Sequence, residues 1–351
     1  MTILASGSDS LASVKRLPPE DPRQWRPGQF ALRDTWLPVA HTPHISHRAI
    51  RREVHCQPYF LWRDGSRIRA AEFHPDELVQ KRNNASEFTA GTGEYPPVVE
   101  RYGYAWVWYG NPMNADVELI PDVPYLPREG KLPKNMWGTV VFDCTYELTC
   151  ENLLDLTHSD FLHSRLIGDS FSEDDQVSVE STSETIFMVR EARGRKVGLA
   201  QRWAAKSKFQ DMRAHTFIHL RSGVTILHGQ FTPGMSVRLF HPDVPVSPYK
   251  THNNYTFNPK NADFMTRHLF PLMAPIIGAQ DNSMLKPQNA RYLAGSDRED
   301  FSSRFDKAGI TYRRSMKALI DRQKKGDFSY RSDCDPGADI AKLINVERER
   351  G

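Results

Sequence analysis

The stretch Glu151-Asn152-Leu153-Leu154-Asp155-Leu156-Thr157-His158-Ser159-Asp160-Phe161-Leu162-His163 sets two histidines and a carboxylate among apolar side chains within a dozen residues. Leu153, Leu154, Leu156, Phe161 and Leu162 recur with a helical period, so residues 150–163 read as a helix. Its polar groups lie close to a buried environment. Buried polar groups need partners, and a metal ion is one way to supply them. Two neutral imidazoles and one carboxylate make the facial triad that leaves open positions on ferrous iron for oxygen and substrate. The spacing sets a condition. Partners at i, i+4 share a helix face, whereas His158 and His163, at i, i+5, stand well over a hundred degrees apart around the axis. Convergence requires a bulge or a helix that stops between them, an irregularity common at functional sites. The alternative is a hydrogen-bonded core histidine at 158 and a favourable helix-ending histidine at 163.

Upstream of this stretch the chain is β-rich. Residues 1–30, with their Ser, Pro and Arg, read as a loose arm. Trp36-Leu37-Pro38-Val39-Ala40, Tyr59-Phe60-Leu61-Trp62 and Ile68-Arg69-Ala70-Ala71 are short β-type runs, and Asp64-Gly65 is a hairpin signal between the last two. Residues 76–94 read as a long polar loop, after which Tyr104-Ala105-Trp106-Val107-Trp108-Tyr109 resumes strand character. A Pro-rich linker at 121–133 leads to residues 138–148, which alternate like a strand, and residues 145–149 also favour a strand. Farther on, alternating runs at 184–189, 216–219 and 224–232 suggest a broad antiparallel sheet. Residues 263–325 are mostly helical, with an amphipathic helix at 306–323 whose apolar side holds Ile310, Met316, Leu319 and Ile320. The expected organisation is α+β: an arm at 1–30, a small all-β domain at 31–115 and a larger domain at 116–351.

Composition narrows the function classes. The chain has 351 residues, 39% of them hydrophobic and 25% charged, which suits an ordinary soluble protein with a full core. No apolar run reaches the length of a membrane span, and the first residues lack a secretory pattern, so a cytoplasmic location is expected. A net charge of +3 with scattered basic runs does not argue for nucleic acid. Four cysteines at 56, 144, 150 and 334 form no disulfide framework, CxxC pair or Cys-x-His pair.

The pattern Asn-x-x-Asp-x-x-His-x-x-x-x-His resembles the catalytic motif of the Rieske non-haem iron oxygenases, and residues 151–158 are especially similar to their vanillate demethylase-like branch. Trp36-Leu37-Pro38-Val39-Ala40 looks like the family's opening, and Leu61-Trp62-Arg63-Asp64 with Arg69-Ala70 like its second hairpin. Val98-Val99-Glu100-Arg101-Tyr102-Gly103 with Val107-Trp108 resembles its closing strand. Ala279-Gln280-Asp281-Asn282-Ser283-Met284-Leu285 is similar to the helix that supplies the third ligand, which implies Asp281, with Asp263 outside the matching motif. Residues 306–319 are similar to the last helix, so the likeness runs from about residue 32 to 319. It implies a mononuclear Fe(II) on His158, His163 and Asp281 in a helix-grip-like catalytic domain. Asn152 is implied to support the metal site, with a helix-start cap as its bland role. Asp155 is implied to bridge to a partner's cluster, or alternatively to orient a histidine ligand through a hydrogen bond.

The sequence departs from the family in its N-terminal domain. There a [2Fe-2S] cluster is held by Cys-x-His and Cys-x-x-His, whereas this chain reads His74-Pro75-Asp76-Glu77-Leu78 where the first box belongs and has no second box. The expectation is a Rieske-like β domain with no [2Fe-2S] cluster, in a homotrimer or a mixed hetero-oligomer. Electrons would come from a separate cluster-bearing subunit and its reductase. Asp160 reads as surface rather than as a fourth ligand. His215, His219 and His228 read as sheet histidines, some of which line a cavity. Trp106 and Trp108 read as core, and Phe161 and Phe231 as walls of an apolar pocket. The reading of function is an oxygenase that uses O2 to hydroxylate, or to O- or N-demethylate, a small aromatic or heterocyclic molecule. Two alternatives stand beside it: a non-catalytic structural subunit, and a metal-dependent hydrolase or lyase that needs no external electrons.

Overall fold

Aromatic and β-branched side chains crowd the segments on either side of residue 98, and the computed structural model folds them into two three-stranded antiparallel sheets. It describes residues 32–72, 74, 96–167, 171–258, 264–294 and 303–334. The expected arm at 1–30, the loop at 76–94 and Asp263 lie outside the described residues. In chain order the strands are β1 (Thr35–His41), β2 (Ile50–Val54), β3 (Gln57–Asp64), β4 (Arg67–Ala71), β5 (Val98–Arg101) and β6 (Tyr104–Tyr109). One sheet runs β1-β6-β5 and the other β2-β3-β4. Asp64 pairs with Arg67 across a two-residue turn in which Gly65 has φ +58°, a conformation glycine adopts without steric cost.

The rest of the strands build one antiparallel sheet of eight. They are β7 (Trp137–Phe142), β8 (Gln176–Ser181), β9 (Thr185–Lys196), β10 (Phe209–His219), β11 (Val224–Thr232), β12 (Ser236–Phe240), β13 (Asp243–Ser247) and β14 (Lys250–Phe257). Their order is β13-β14-β12-β11-β10-β9-β8, with β7 paired to β14. Its helices are α1 (Tyr146–Leu153), α2 (His158–Leu162), α3 (Ser164–Ile167), α4 (Arg202–Ala205), α5 (Phe264–Ala294) and α6 (Lys307–Lys324). The fold is therefore α+β with a broad antiparallel sheet, as the alternating runs suggest.

Side-chain alternation gives the large sheet two buried faces. On one, Phe187, Phe217, Ile226 and Phe240 pack against Trp36, Tyr104, Trp106 and Trp108 of the small sheet, so Trp106 and Trp108 are core, as is Trp36. On the other, Ile186, Met188, Ala214 and Ile218 meet Tyr146, Cys150 and Leu154 of the α1 segment and Tyr312, Met316, Leu319 and Ile320 of α6. Ile310 is only partly buried.

Two local expectations are corrected. Residues 145–149 are not a strand: strand β7 ends at Phe142 and α1 begins at Tyr146. Tyr146, Cys150 and Leu154 recur every fourth residue, and a helix puts all three into one core cluster; this packing overrides the strand preference of the side chains. The single helix expected over 150–163 is two, α1 and α2, separated by residues 154–157.

Candidate metal centre

The break between α1 and α2 precedes both histidines and starts the short helix that carries them. At the end of α1, the Leu154 amide is shared between the carbonyls of Cys150 and Glu151, and the Asp155 amide turns back to Asn152 O at 3.2 Å. Asp155 Oδ1 then accepts the Thr157 amide at 2.9 Å and the Thr157 hydroxyl, an Asx turn that stops one helix and opens the next. His158 is the first residue of α2, and His163 follows its last with φ −108° and ψ 17°. The helix thus stops between the two histidines, as their spacing requires, and their rings lie edge to face with centroids 5.4 Å apart.

Asp281 arrives from α5. Its Oδ1 is 3.0 Å from His163 Nε2 and 3.5 Å from His158 Nε2, and the three ligand atoms lie within 4.8 Å of one another. Both imidazoles are held from behind. His158 Nδ1 donates to the Asp155 carbonyl, and His163 Nδ1 donates to Gln280 Oε1 at 2.8 Å. That tautomer leaves each Nε2 as a lone-pair donor facing the carboxylate, the arrangement in which a histidine binds a metal. His163 and Asp281 are buried and His158 is partly exposed. Burial works against a charged His163, but hydrogen bonding to Asp281, the charge of that carboxylate and Gln280 outweigh it and raise its pKa above the ordinary histidine value. Two neutral nitrogens and one carboxylate oxygen suit a divalent first-row metal such as ferrous iron.

The other sequence candidates fall in several places. Asn152 sits next to the C-terminal end of α1, which rules out a helix-start cap. Together with Asp155 and His158 it lines a groove of about 840 Å³ between α1, α2, α5 and α6. The Asp155 carboxylate is spent on Thr157; it is the Asp155 backbone carbonyl that orients His158. Asp160 is not at the surface. It is 4% exposed and paired with Arg190 and Arg195, because its side chain points from α2 into the sheet. Phe161 lines the groove, but Phe231 lines a separate depression on the sheet, so they do not wall one pocket. His215 and His228 lie side by side on β10 and β11, with His228 Nε2 2.8 Å from Ser236 Oγ, and His219 is paired with Ser222.

A second trio of ligand type, Glu184, His219 and Cys334, is also buried. Both Glu184 oxygens accept from the Arg221 guanidinium, at 2.7 and 2.8 Å, and a third contact comes from Arg322, so positive charge already occupies the place a cation would take. Sequence reasoning missed Gln280, Arg190 and Arg195. Gln280 stands beside Asp281 in the quoted motif. Arg190 is betrayed by its place in the buried phase of β9, in step with Ile186, Met188 and Ala192.

Known proteins resemble this chain in sequence and in fold. The sequence profile of the vanillate O-demethylase oxygenase C-terminal domain matches residues 142–322. The vanillate O-demethylase oxygenase subunit of Pseudomonas sp. (strain ATCC 19151) is 25% identical over 255 residues, which are 66% of this chain and 75% of that protein. The oxygenase component of dicamba O-demethylase from Stenotrophomonas maltophilia is 39% identical over 67 residues, 19% of either chain. A crystal structure of dicamba monooxygenase bound to 3,6 dichlorosalicylic acid has the same fold. It gives a TM-score of 0.68 at 18% identity and covers 84% of this chain and 98% of that one.

Proposed function

The chain belongs to the vanillate O-demethylase oxygenase C-terminal domain family of the Rieske non-haem iron oxygenases, and on that premise we propose that it is a cluster-deficient terminal oxygenase subunit with Fe(II) on His158, His163 and Asp281. The enzyme is an oxidoreductase of the Rieske oxygenase type. The observation that carries the ligand assignment is the convergence of two Nε2 atoms and one carboxylate oxygen while each Nδ1 is already committed. Ferrous iron in such a triad supplies the activation of molecular oxygen.

The protein's own groups do the rest. The Asp155 carbonyl and Gln280 hold the imidazoles in the metal-binding tautomer. The groove bearing Asn152 and Asp155 offers the approach for an electron-donating partner. Such a partner is needed because Cys56 is the only cysteine before Cys144, and a Rieske cluster requires two cysteines and two histidines. The reading is therefore a homotrimer or mixed hetero-oligomer fed by a separate Rieske protein and reductase. Its relatives bear the names of O-demethylases, which favours a small aromatic or heterocyclic methyl ether as substrate. Insertion of one oxygen atom of O2 into a methyl C–H bond gives a hemiacetal; the other atom leaves as water, using two electrons and two protons. Breaking the hemiacetal C–O bond releases formaldehyde and the demethylated alcohol.

The test is formaldehyde release from aryl methyl ethers in air. The iron-loaded chain, a Rieske protein and a reductase together should produce it, and omission of either the chain or the Rieske protein should abolish it. Methanol in place of formaldehyde, released equally with oxygen excluded, would instead favour a hydrolase. A purely structural subunit, the reading that the missing cluster ligands favour, would leave product formation by a cluster-bearing oxygenase unchanged when His163 is replaced by alanine.

A further inference from the structure

Strand β9 alternates its side chains between the two faces of the large sheet, and Ile186, Met188 and Ala192 point into the core beneath α1 and α6. The fourth residue in that phase is Arg190, with 0% of its surface exposed. A guanidinium there is costly to desolvate, and its contacts are specific. Nε donates to Asp175 Oδ2 at 3.1 Å, Nη2 meets both Asp160 and Asp175, and Nη1 donates to the Leu156 carbonyl at 2.6 Å. Asp160 is held on its other oxygen by Arg195. All four charged groups are buried.

These contacts converge on the segment that carries the iron-site histidines. Leu156 follows Asp155, whose carbonyl orients His158, and Leu156 O is pinned by both Arg190 and the Ser159 hydroxyl at 2.9 Å. Asp160 lies between His158 and His163 on α2, a helix of only five residues with little of its own to fix its rotation. Rotation of α2 about its axis would swing the two imidazoles away from Asp281 together. We propose that Arg190 is a positioning residue for the metal centre, locking the 154–157 turn and α2 in the one orientation that brings both Nε2 atoms to Asp281. The inference rests on the iron-site reading above.

Arginine suits this task because its planar fork reaches a carbonyl and two carboxylates at once, whereas a lysine ammonium is a single point charge on a flexible stem. The Arg221–Glu184 pair provides an internal contrast. It is equally buried, but Arg221 also donates to the carbonyls of Phe328 and Ser329, so it fastens the C-terminal segment and not α2.

The test uses Co2+ as a spectroscopic probe of the full chain. Wild type, Arg190→Lys, Arg190→Gln and Arg221→Gln are compared for Co2+ affinity, visible ligand-field spectrum and cooperative unfolding. Arg190→Lys is expected to unfold cooperatively, to bind Co2+ about 10–100-fold more weakly and to show an altered spectrum; Arg190→Gln should be at least as impaired. Arg221→Gln should lose stability yet keep the wild-type Co2+ affinity and spectrum. Should Arg190→Gln fail to fold, Arg190→Lys decides the matter. Wild-type affinity and spectrum in Arg190→Lys, or an equal perturbation in Arg221→Gln, would overturn the positioning role. Failure of the wild type itself to bind Co2+ would overturn the iron-site reading and this inference with it.

Discussion

His163 is fixed at both ring nitrogens, by Gln280 on one side and Asp281 on the other. Only the Asp281 contact faces the proposed metal position, so the two can be separated experimentally. Replacing Gln280 by leucine removes the acceptor that keeps the proton on Nδ1, while the Nε2 face stays intact. Metal affinity is expected to fall about 10–100-fold with little change in thermal stability, as measured by ferrous iron titration under anaerobic conditions. Unchanged affinity would show that the ring is oriented by packing alone. At this scale the sequence was legible where residue types carried a pattern. His158, His163 and Asp281 stand in motifs, and the structure brings them together. Asp160 was not legible: a lone carboxylate on a short amphipathic stretch looks solvated. What buries it is an arginine pair on β9, some thirty positions away in sequence.

Helix α5 must deliver Asp281 to the histidines, and its approach to the sheet is set by one glycine. A Cβ at Gly278 would stand 2.5 Å from Val140 Cγ1 on β7, so only glycine lets the helix lie this close. Asp281 lies about one turn farther along the same helix. The Gly278→Ala variant is expected to lose about 1–3 kcal/mol in urea unfolding and to bind metal more weakly, and Val140→Ala in the same chain should restore both. A Gly278→Ala protein as stable as wild type would show that the helix and strand can move apart freely. The long helices were legible as elements, because α6 carries its buried Ala308, Tyr312, Met316, Leu319 and Ile320 at helical spacing. The stop between His158 and His163 was legible as a requirement and falls at Leu162, whereas the α1–α2 break before them was not legible, since its turn comes from Asp155 bonding to Thr157 and not from a glycine or proline. Residues 145–149 misled because their strand preference is local, whereas the core they enter is not.

Across the whole molecule, burying the large sheet on both faces traps several histidines in neutral form. Burial lowers His41, His55 and His219 to about 3 and His215, His228 and His241 to about 4. A histidine with a depressed folded value contributes fully above its unfolded value of 6.5, and that contribution is lost as pH falls toward the folded value. Asp243, which burial raises to about 7, acts in the opposite direction over the same range. Six histidines against one carboxyl leave the unfolded chain with about five more protons near pH 5, so acid wins. The metal-free protein is expected to show a lower urea midpoint at pH 5 than at pH 7; equal midpoints would mean that these histidines titrate normally. The broad sheet was legible from its alternating runs, but its burial on both faces was not, since alternation alone announces a single buried face. Strands β12 to β14 were not singled out, being short and interrupted by polar residues and Pro245.

The proposed oxygenase subunit holds one iron on His158, His163 and Asp281 and no cluster of its own. The most direct measurement is bound iron after anaerobic loading with Fe(II), for wild type and His163→Ala, together with the visible spectrum. About one iron per wild-type chain, lost in the variant and free of iron–sulfur absorption, is the expected result. Wild type that binds no more iron than His163→Ala, or that shows cluster absorption, would contradict it.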